Sequence, residues 1–527
     1  MKKHISCALL TLVFSTQISR AVVDVPDTVF TNKEVGDMAL SIQMLDTVQI
    51  NDAGFNVLLA KQGAKVEDKM SWIVNVPEDA DYQVAFQFHR NKFQHYPPKY
   101  GSKDFDSVDP KCGIKIEANG KVIYMQLDPL FHYNEPPKLY ASREWLDELL
   151  PLKKGANKIT FYYSPLNCLT NSLEISEMGS AILSESLLPI KFNDINLVRP
   201  EVWKSMTSRA EKLKPDLSWM IEGKYGVFTH WSLLSYPLYG DKRARETFEW
   251  GVNKFDVEAY ADKIEEIGAS WVIFTTCHGG QMFPAPIKTL DNVLPGRTTK
   301  RDLIAEIAEA LGKRNIKLLL YYNFSPNGQV AQKLGADKNP EEWFQYLIDF
   351  VCEVSLRYGK SIAGWGYFDS TVSAYEMNMP WEDLYMAAIA GNPDAAVGIS
   401  SQWRAQYSPF NNLQTGDSGC GLNDPLDKRL LEKGERYEGL QEHATFILDD
   451  FWYSQEPFNG VIRANSKVEG GPTFTDEEYI SYFKKMAEAK VPITVNLLIT
   501  QDVTSYQPFM NSESVELMKK IKKELGK

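Results

Sequence analysis

The sequence predicts an α/β protein in which a (β/α)8 barrel of the TIM type follows an N-terminal antiparallel β-sandwich. Three observations lead there. Residues 22–197 alternate short β-type runs with turn residues. After Pro200 the rhythm changes to a strand followed by an amphipathic helix, which within one sheet means parallel strands joined by crossover helices. That unit recurs about eight times before the last helix, the count a closed barrel requires. The rival architecture, an open doubly wound sheet, would carry GxGxxG or GxxxxGK[ST] after a strand, and neither motif occurs.

A chain of 527 residues suits this pairing, since one ordinary domain takes about 100–200 residues. With 44% hydrophobic and 24% charged residues, disorder and coiled coil are excluded. The 57 Lys and Arg stand against 69 Asp and Glu, a formal net charge of -12. That balance repels polyphosphate, and no basic stripe interleaved with aromatics offsets it, so nucleic acid is excluded as a partner.

Residues 1–21 read as a signal peptide. Lys2 and Lys3 precede an apolar stretch from Ile5 to Phe14, and Ser19 and Ala21 occupy the -3 and -1 places of a cleavage site. The mature chain is therefore expected to start near Val22 and to be exported, to the periplasm or beyond. The apolar stretch is shorter than the ~20 residues a bilayer demands, and no other segment is long and apolar enough, so no membrane span is expected. Cys112, Cys168, Cys277, Cys352 and Cys420 remain after cleavage, scattered and without CxxC spacing. Neither a disulfide framework nor a zinc site follows, although Cys112 and Cys168 share the N-terminal segment and could pair.

In the segment 22–197, SWIVNV (71–76), YQVAFQF (82–88), GIKIEANGKVIYM (113–125) and NKITFYY (157–163) read as strands, with Asn119-Gly120 as a hairpin turn. The phrases WIVNVPEDADYQVAFQF and LKKGANKITFYY are similar to carbohydrate-binding modules of the galactose-binding-like type. Tyr96, Trp145 and His89 are either core residues or platforms for a sugar ring.

The segment 198–527 is expected to form the barrel. Its strands are read at Tyr225–His230, Ser270–Thr276, Ile316–Asn323, Ile362–Asp369, Ala395–Ser400, Leu413–Gly416, Ala444–Asp449 and Pro492–Ile499. Val257, Tyr260, Ala261, Ile264 and Ile267 line one helical face, and Leu303, Ile307 and Leu311 line another. Thr475-Asp476-Glu477-Glu478 is a capping box.

Reactive groups of such a barrel sit where strands end, so the polar and aromatic residues there are the candidates. His230-Trp231 closes the first strand, His278 the second, Tyr322 lies at the end of the third, and Trp365-Gly366-Tyr367-Phe368-Asp369 forms the fourth. Glu442-His443 leads into ATFILDD, which runs on to Trp452. Carboxylates, imidazoles and indoles together suit hydrolysis of a sugar acetal. Aromatics cover apolar ring faces, imidazoles bond hydroxyls, and two carboxyls flank the anomeric carbon. One carboxyl stays ionised while the other is held protonated to release the leaving oxygen. Asp369 is the expected ionised member and Glu442 the expected acid/base, with Glu438 and Glu435 as substitutes.

The blocks KYGVFTHWSLLSYP (224–237), Glu249-Trp250, FDVEAYADKIEEIGASWVIFTTCHGG (255–280), TTKRDLIAEIAEALGKRNIKLLLYYN (298–323) and GWGYFDS (364–370) resemble, in order and spacing, the barrel of the α-L-fucosidases of glycoside hydrolase family 29. EHATFILDDFWY (442–453) and PITVNLLI (492–499) are similar to later segments of that family. The resemblance implies a retaining, exo-acting α-L-fucosidase with Asp369 as nucleophile and Glu442 as acid/base. It implies sugar contacts from His230, His278 and Trp250. The family's His-Trp-Gly reads His230-Trp231-Ser232 here, and its His-His-Asp-Gly-Phe reads His278-Gly279-Gly280-Gln281-Met282. Those departures imply room for a bulkier group, so the same fold acting on another sugar, such as an α-L-galactosyl linkage, stands beside the fucosidase reading. A non-catalytic glycan-binding protein is the third reading.

No metal or cofactor is expected. His230 and His278 cannot form an HExxH pair, and no GxSxG elbow accompanies them. Cys277 is read as a space-filling buried thiol beside the alternative of a nucleophile.

Overall fold

The computed structural model describes residues 29–30, 42–47, 68–76, 78–91, 113–125, 139–145, 148–164, 191–198, 200–231, 242–278, 281–325, 328–371, 379–400, 408–415, 431–433, 437–449, 472–501 and 508–527. The expected signal peptide, Cys112, Cys168, Cys420, Tyr96, Ser232, Gly279, Gly280, Glu435 and Trp452 lie outside them. The chain divides into two compact units, Met1–Arg209 and Ala210–Lys527.

The strands of the first unit are β1 (Val29–Phe30), β2 (Ile42–Thr47), β3 (Asp68–Val76), β4 (Ala80–Asn91), β5 (Gly113–Ala118), β6 (Lys121–Met125), β7 (Leu139–Trp145), β8 (Leu150–Leu152), β9 (Gly155–Ser164) and β10 (Lys191–Val198). They form two five-stranded sheets, one ordered β2-β3-β9-β5-β6 and one ordered β1-β10-β4-β7 with β8 also on β4, and every pairing is antiparallel. The turn between β5 and β6 is the Asn119-Gly120 pair, with φ of 52° and 81°. Both central residues of a two-residue hairpin turn need positive φ, which is why this pair occupies it. The Asn119 amide also bonds Asn157 Oδ1 at 2.8 Å, tying the turn to β9.

From Pro200 onward the elements are α1 (Pro200–Lys212), α2 (Ser218–Gly223), β11 (Tyr225–Thr229), α3 (Lys242–Lys254), α4 (Val257–Glu266), β12 (Trp271–Cys277), α5 (Lys288–Val293), α6 (Leu303–Lys313), β13 (Lys317–Asn323), α7 (Gln329–Lys333), α8 (Glu341–Tyr358), β14 (Gly364–Asp369), α9 (Trp381–Ile389), β15 (Ala396–Ile399), β16 (Ala444–Ile447), α10 (Asp476–Ala489), β17 (Ile493–Leu497), β18 (Ile499–Gln501), β19 (Pro508–Met510) and α11 (Ser512–Glu524). Seven strands make one curled parallel sheet in the order β15-β14-β13-β12-β11-β17-β16. β11, β12, β15 and β17 are buried at every residue, as strands covered on both faces must be. The helices start where side chains cap them. Asp256 accepts from Ala259 N, Asp302 from Ala305 N, and Thr475 with Glu478 completes the capping box.

The strand expected over 413–416 is reduced to one residue. Leu413 bridges Gly398 on one side and Gln441 on the other, both in parallel sense, and so stands between β15 and the approach to β16. Asn411 and Asn412 prevent a longer ladder by spending their side chains on β15. Asn412 Oδ1 accepts from Val397 N at 2.7 Å and Asn411 Oδ1 from Ile399 N at 3.2 Å. Inside the curl, Phe228, Trp271, Ile273, Leu319, Tyr321, Tyr367, Ala396 and Leu413 pack with Leu217 and Met220. Gly226 admits this core, because a Cβ there would lie 2.3 Å from the Trp271 indole. Among the described residues, no helix is long and apolar enough to cross a membrane.

Candidate active site

Asp369 is the last residue of β14 and pairs across the ladder with Asn323, the last residue of β13. Period-two alternation therefore sends Tyr321 and Asn323 to the same face as Asp369. Asp369 Oδ2 accepts from Tyr321 Oη at 2.5 Å and from Asn323 Nδ2 at 2.8 Å. Asp369 Oδ1 accepts from the backbone N–H of Ser370 at 2.5 Å. Ser370 makes that contact from a left-handed conformation, φ 57°. The carboxylate is half-buried, while Asn323 and Tyr321 beneath it are buried.

Two imidazoles complete the cluster. The His278 ring stacks on Tyr321 with centroids 6.0 Å apart, and His230 meets His278 edge to face at 4.9 Å and Tyr321 at 5.2 Å. Burial holds both rings below the usual histidine range. The nearby His278 lowers His230 further, whereas the Asp369 charge works against the burial of His278. Both are therefore neutral at pH 7, each able to donate from one nitrogen and accept at the other. Burial, and then the Asp369 charge, push the Tyr321 phenol well up, so it donates to the carboxylate as a neutral hydroxyl. An anion with neutral donors and imidazoles at the end of a parallel sheet can orient hydroxyl groups and face a developing positive charge.

Of the residues expected here, the structure brings together Asp369, His230 and His278. It turns three aromatics elsewhere. Trp231 stacks on Phe274 at 5.8 Å and packs edge-on against Phe255 at 5.5 Å, so it fills the layer between sheet and helices. Tyr322 lies 4.5 Å from the Phe350 ring of α8, and its hydroxyl is 3.4 Å from that of Tyr346. Trp365 donates to Ser355 Oγ of α8 at 2.9 Å. A bulge explains Trp365. Leu320 pairs with Trp365 but Tyr321 with Tyr367, so Gly366 is the extra residue and the face of β14 reverses across it. Without that bulge, 365, 367 and 369 would share one face. Trp250 is half-buried on α3.

Glu442 is the larger correction. It precedes β16 by two residues, at the end where the strands begin, and it is 3% exposed. Its neighbour His443 bonds Thr494 Oγ1 at 2.7 Å and the Gln414 carbonyl at 3.0 Å, and lies against Trp271, the first residue of β12. Extended residues rise by roughly 3.3 Å each, so the seven steps from Glu442 to Asp449 span up to about 23 Å, with β16 between them. Within two residues of the last position of a strand of the parallel sheet, the described carboxyls are Asp369 and Asp449. Asp449 Oδ2 accepts from Leu498 N at 2.7 Å and Oδ1 from Ser514 Oγ, which ties it to α11.

Sequence reasoning missed Tyr321 and Asn323 as donors to Asp369. Alternation along the third strand, counted back from its end, would have put both on one face. Cys277 is fully buried and burial pushes its thiol up, which suits a space-filling role. Among the described residues, no group of three or more His, Cys, Asp or Glu could hold a metal ion.

The family model for alpha-L-fucosidase matches residues 245–443. Tissue alpha-L-fucosidase of Macaca fascicularis is 26% identical over 215 residues, covering 34% of this chain and 41% of that protein. The Homo sapiens protein gives the same figures, and the Mus musculus protein is 29% identical over 219 residues, covering 34% and 42%. The chain thus spans about two fifths of the length of the curated relatives it matches. Among solved structures, an alpha-L-fucosidase from Bacteroides thetaiotaomicron aligns with a TM-score of 0.41 at 15% identity, over 59% of this chain and 74% of that one. The unliganded alpha-L-fucosidase AlfC from Lactobacillus casei aligns with a TM-score of 0.40 at 15% identity, over 59% and 98%. By the family match and these relatives, the chain is similar to alpha-L-fucosidases, and that likeness runs through residues 245–443.

Proposed function

We propose that this protein is an exported glycoside hydrolase that removes terminal α-L-fucosyl groups from glycans with retention of configuration, using Asp369 as its attacking carboxylate. The observation that carries the reading is the placement of Asp369. It closes a parallel strand inside the alpha-L-fucosidase-like segment, under three hydrogen-bond donors and beside two neutral imidazoles. In this reading Asp369 attacks the anomeric carbon, His230 and His278 hold sugar hydroxyls, and a second carboxylic acid at the same end protonates the leaving oxygen. Glu442 does not fit that second role from the strand-beginning end, so the acid is sought among the loops that follow the strands. We take Leu413 as the sixth strand of a (β/α)8 barrel, and the two N-terminal sheets as the faces of a sandwich.

The test is a panel of aryl glycosides. Hydrolysis of the α-L-fucoside with retained configuration, lost in Asp369→Asn, supports the reading; undiminished turnover in that variant ends it. The Gly279-Gly280 departure favours a second reading, the same chemistry on a sugar bulkier than fucose. Preference for an α-L-galactoside over the fucoside would select it.

A further inference from the structure

We propose that Asn323 is a positioning residue for Asp369, and that it reserves Oδ1 as the oxygen that bonds to the anomeric carbon. This rests on the hydrolase reading above and deepens it. Asn323 is 4% exposed, and its amide has one permitted orientation. Its Oδ1 accepts from Ser325 N at 2.8 Å, which leaves Nδ2 facing Asp369 Oδ2 at 2.8 Å and Ser370 Oγ at 3.0 Å. Flipping the amide would set a carbonyl oxygen against a carboxylate and an N–H against an N–H, so the loop after β13 locks the donor toward Asp369.

The two carboxylate oxygens are consequently unequal. Each has about two acceptor sites. Oδ2 fills both, with Tyr321 Oη and Asn323 Nδ2. Oδ1 takes one donor among the described residues, the Ser370 N–H. The second acceptor site of Oδ1 is the one left for carbon. A backbone outlier supports the same division. Among the described residues, the non-glycine positions with positive φ are Asn119, Lys224, Gln281, Asn315, Ser370 and Lys490. Asn119 makes a hairpin turn, Lys224 and Lys490 close helices, and Asn315 follows the C-cap of α6. Gln281 closes a tight turn after β12, its N–H donating to the His278 carbonyl at 2.8 Å, and Ser370 does none of these. Its left-handed turn brings its N–H back onto Oδ1 and its Oγ onto the Asn323 amide, a strained arrangement of the kind that clusters at working sites.

In the reaction, Oδ1 forms a bond to the anomeric carbon while the bond from that carbon to the aglycone oxygen breaks. Its electron pair leaves with that oxygen, which takes a proton from a carboxylic acid of the mouth. Tyr321 and Asn323 stay on Oδ2, which becomes the carbonyl oxygen of the ester.

The experiment uses the full chain. In the crystal structure of wild-type protein trapped with a 2-deoxy-2-fluoro-α-L-fucosyl donor, the ester is expected through the oxygen beside Ser370 N. An ester through the oxygen beside Tyr321 and Asn323 overturns the assignment. Asn323→Ala is expected to reduce kcat roughly tenfold to a hundredfold with KM within about threefold, because misaiming a reacting group by about 1 Å costs on that order. Asn323→Ser serves if the alanine variant does not fold. Unchanged kcat in the folded variant overturns the positioning role. The unliganded Asn323→Ala structure separates the two proposals. Asp369 displaced there, in a protein whose wild type cleaves no glycoside, ends the hydrolase reading with its attacking-oxygen assignment and upholds the clamp. Asp369 unmoved there, with wild-type turnover intact, ends the clamp alone.

Discussion

The two ends of one parallel sheet both bury histidine among aromatic rings, yet they use it differently. Where the strands begin, His443 has a partner at each ring nitrogen. Thr494 Oγ1 accepts from Trp271 Nε1 at 2.7 Å, so its own proton goes to His443 Nε2, and His443 Nδ1 donates to the Gln414 carbonyl. Burial holds this ring down to about 4. Where the strands finish, His230 and His278 gather round a half-buried carboxylate instead, and the chain accepts a left-handed serine to hold it. A network closed on itself specifies packing; a charge at the rim held by neutral donors is poised for a substrate.

The largest test of that contrast is Asp369→Asn, which should reduce kcat by roughly a thousandfold or more while the thermal midpoint stays within a few degrees, as steady-state kinetics and calorimetry would show. At the other end, His443→Ala should cost about 2–4 kcal/mol in urea unfolding with little change in kcat per folded molecule. The comparison breaks if the two variants exchange phenotypes.

Acid should report on His443 as well. The folded pKa of His443 is about 4, against about 6.5 unfolded. Between those values the unfolded chain takes up a proton that the folded chain refuses. Stability therefore falls as pH drops from about 6.5 to about 4, by roughly 3 kcal/mol from this group, and is unaffected by it above that window. Denaturant midpoints against pH should show the slope in wild type and a shallower one in His443→Gln.

Smaller effects sharpen the picture. Glu442→Gln should change kcat by less than about threefold, because the residue stands at the strand-beginning end; a hundredfold loss would return the acid/base role to it and refute the division of the sheet. Tyr322→Phe removes a hydroxyl 3.4 Å from Tyr346 and should cost about 1 kcal/mol or less, leaving KM for any glycoside unchanged.

Several misplacements share one cause. Trp365 has the same spacing from Asp369 as an inward residue, but the Gly366 bulge turns it to α8. Glu442 sits in a segment that reads as strand approach from either end, and only the pairing of Ala444 with Ile493 shows which end of the sheet it occupies. Asn411 and Asn412 look like turn residues, and their side chains supply the bonds that a sixth strand would have made.

What the sequence determined alone is whatever depends on short-range periodicity. The strands through Tyr225–Thr229, Trp271–Cys277, Lys317–Asn323 and Gly364–Asp369, the buried helical faces, the capping box at Thr475 and the position of Asp369 at a strand end all follow from alternation, 3.6-residue spacing and local capping chemistry. Tertiary structure decided what depends on register between distant strands: which face Trp365 and Tyr322 take, which end holds Glu442, and which donors meet at Asp369. Those bonds join residues 46 and 48 positions apart, and a single inserted residue reverses a face, so no local pattern carries them.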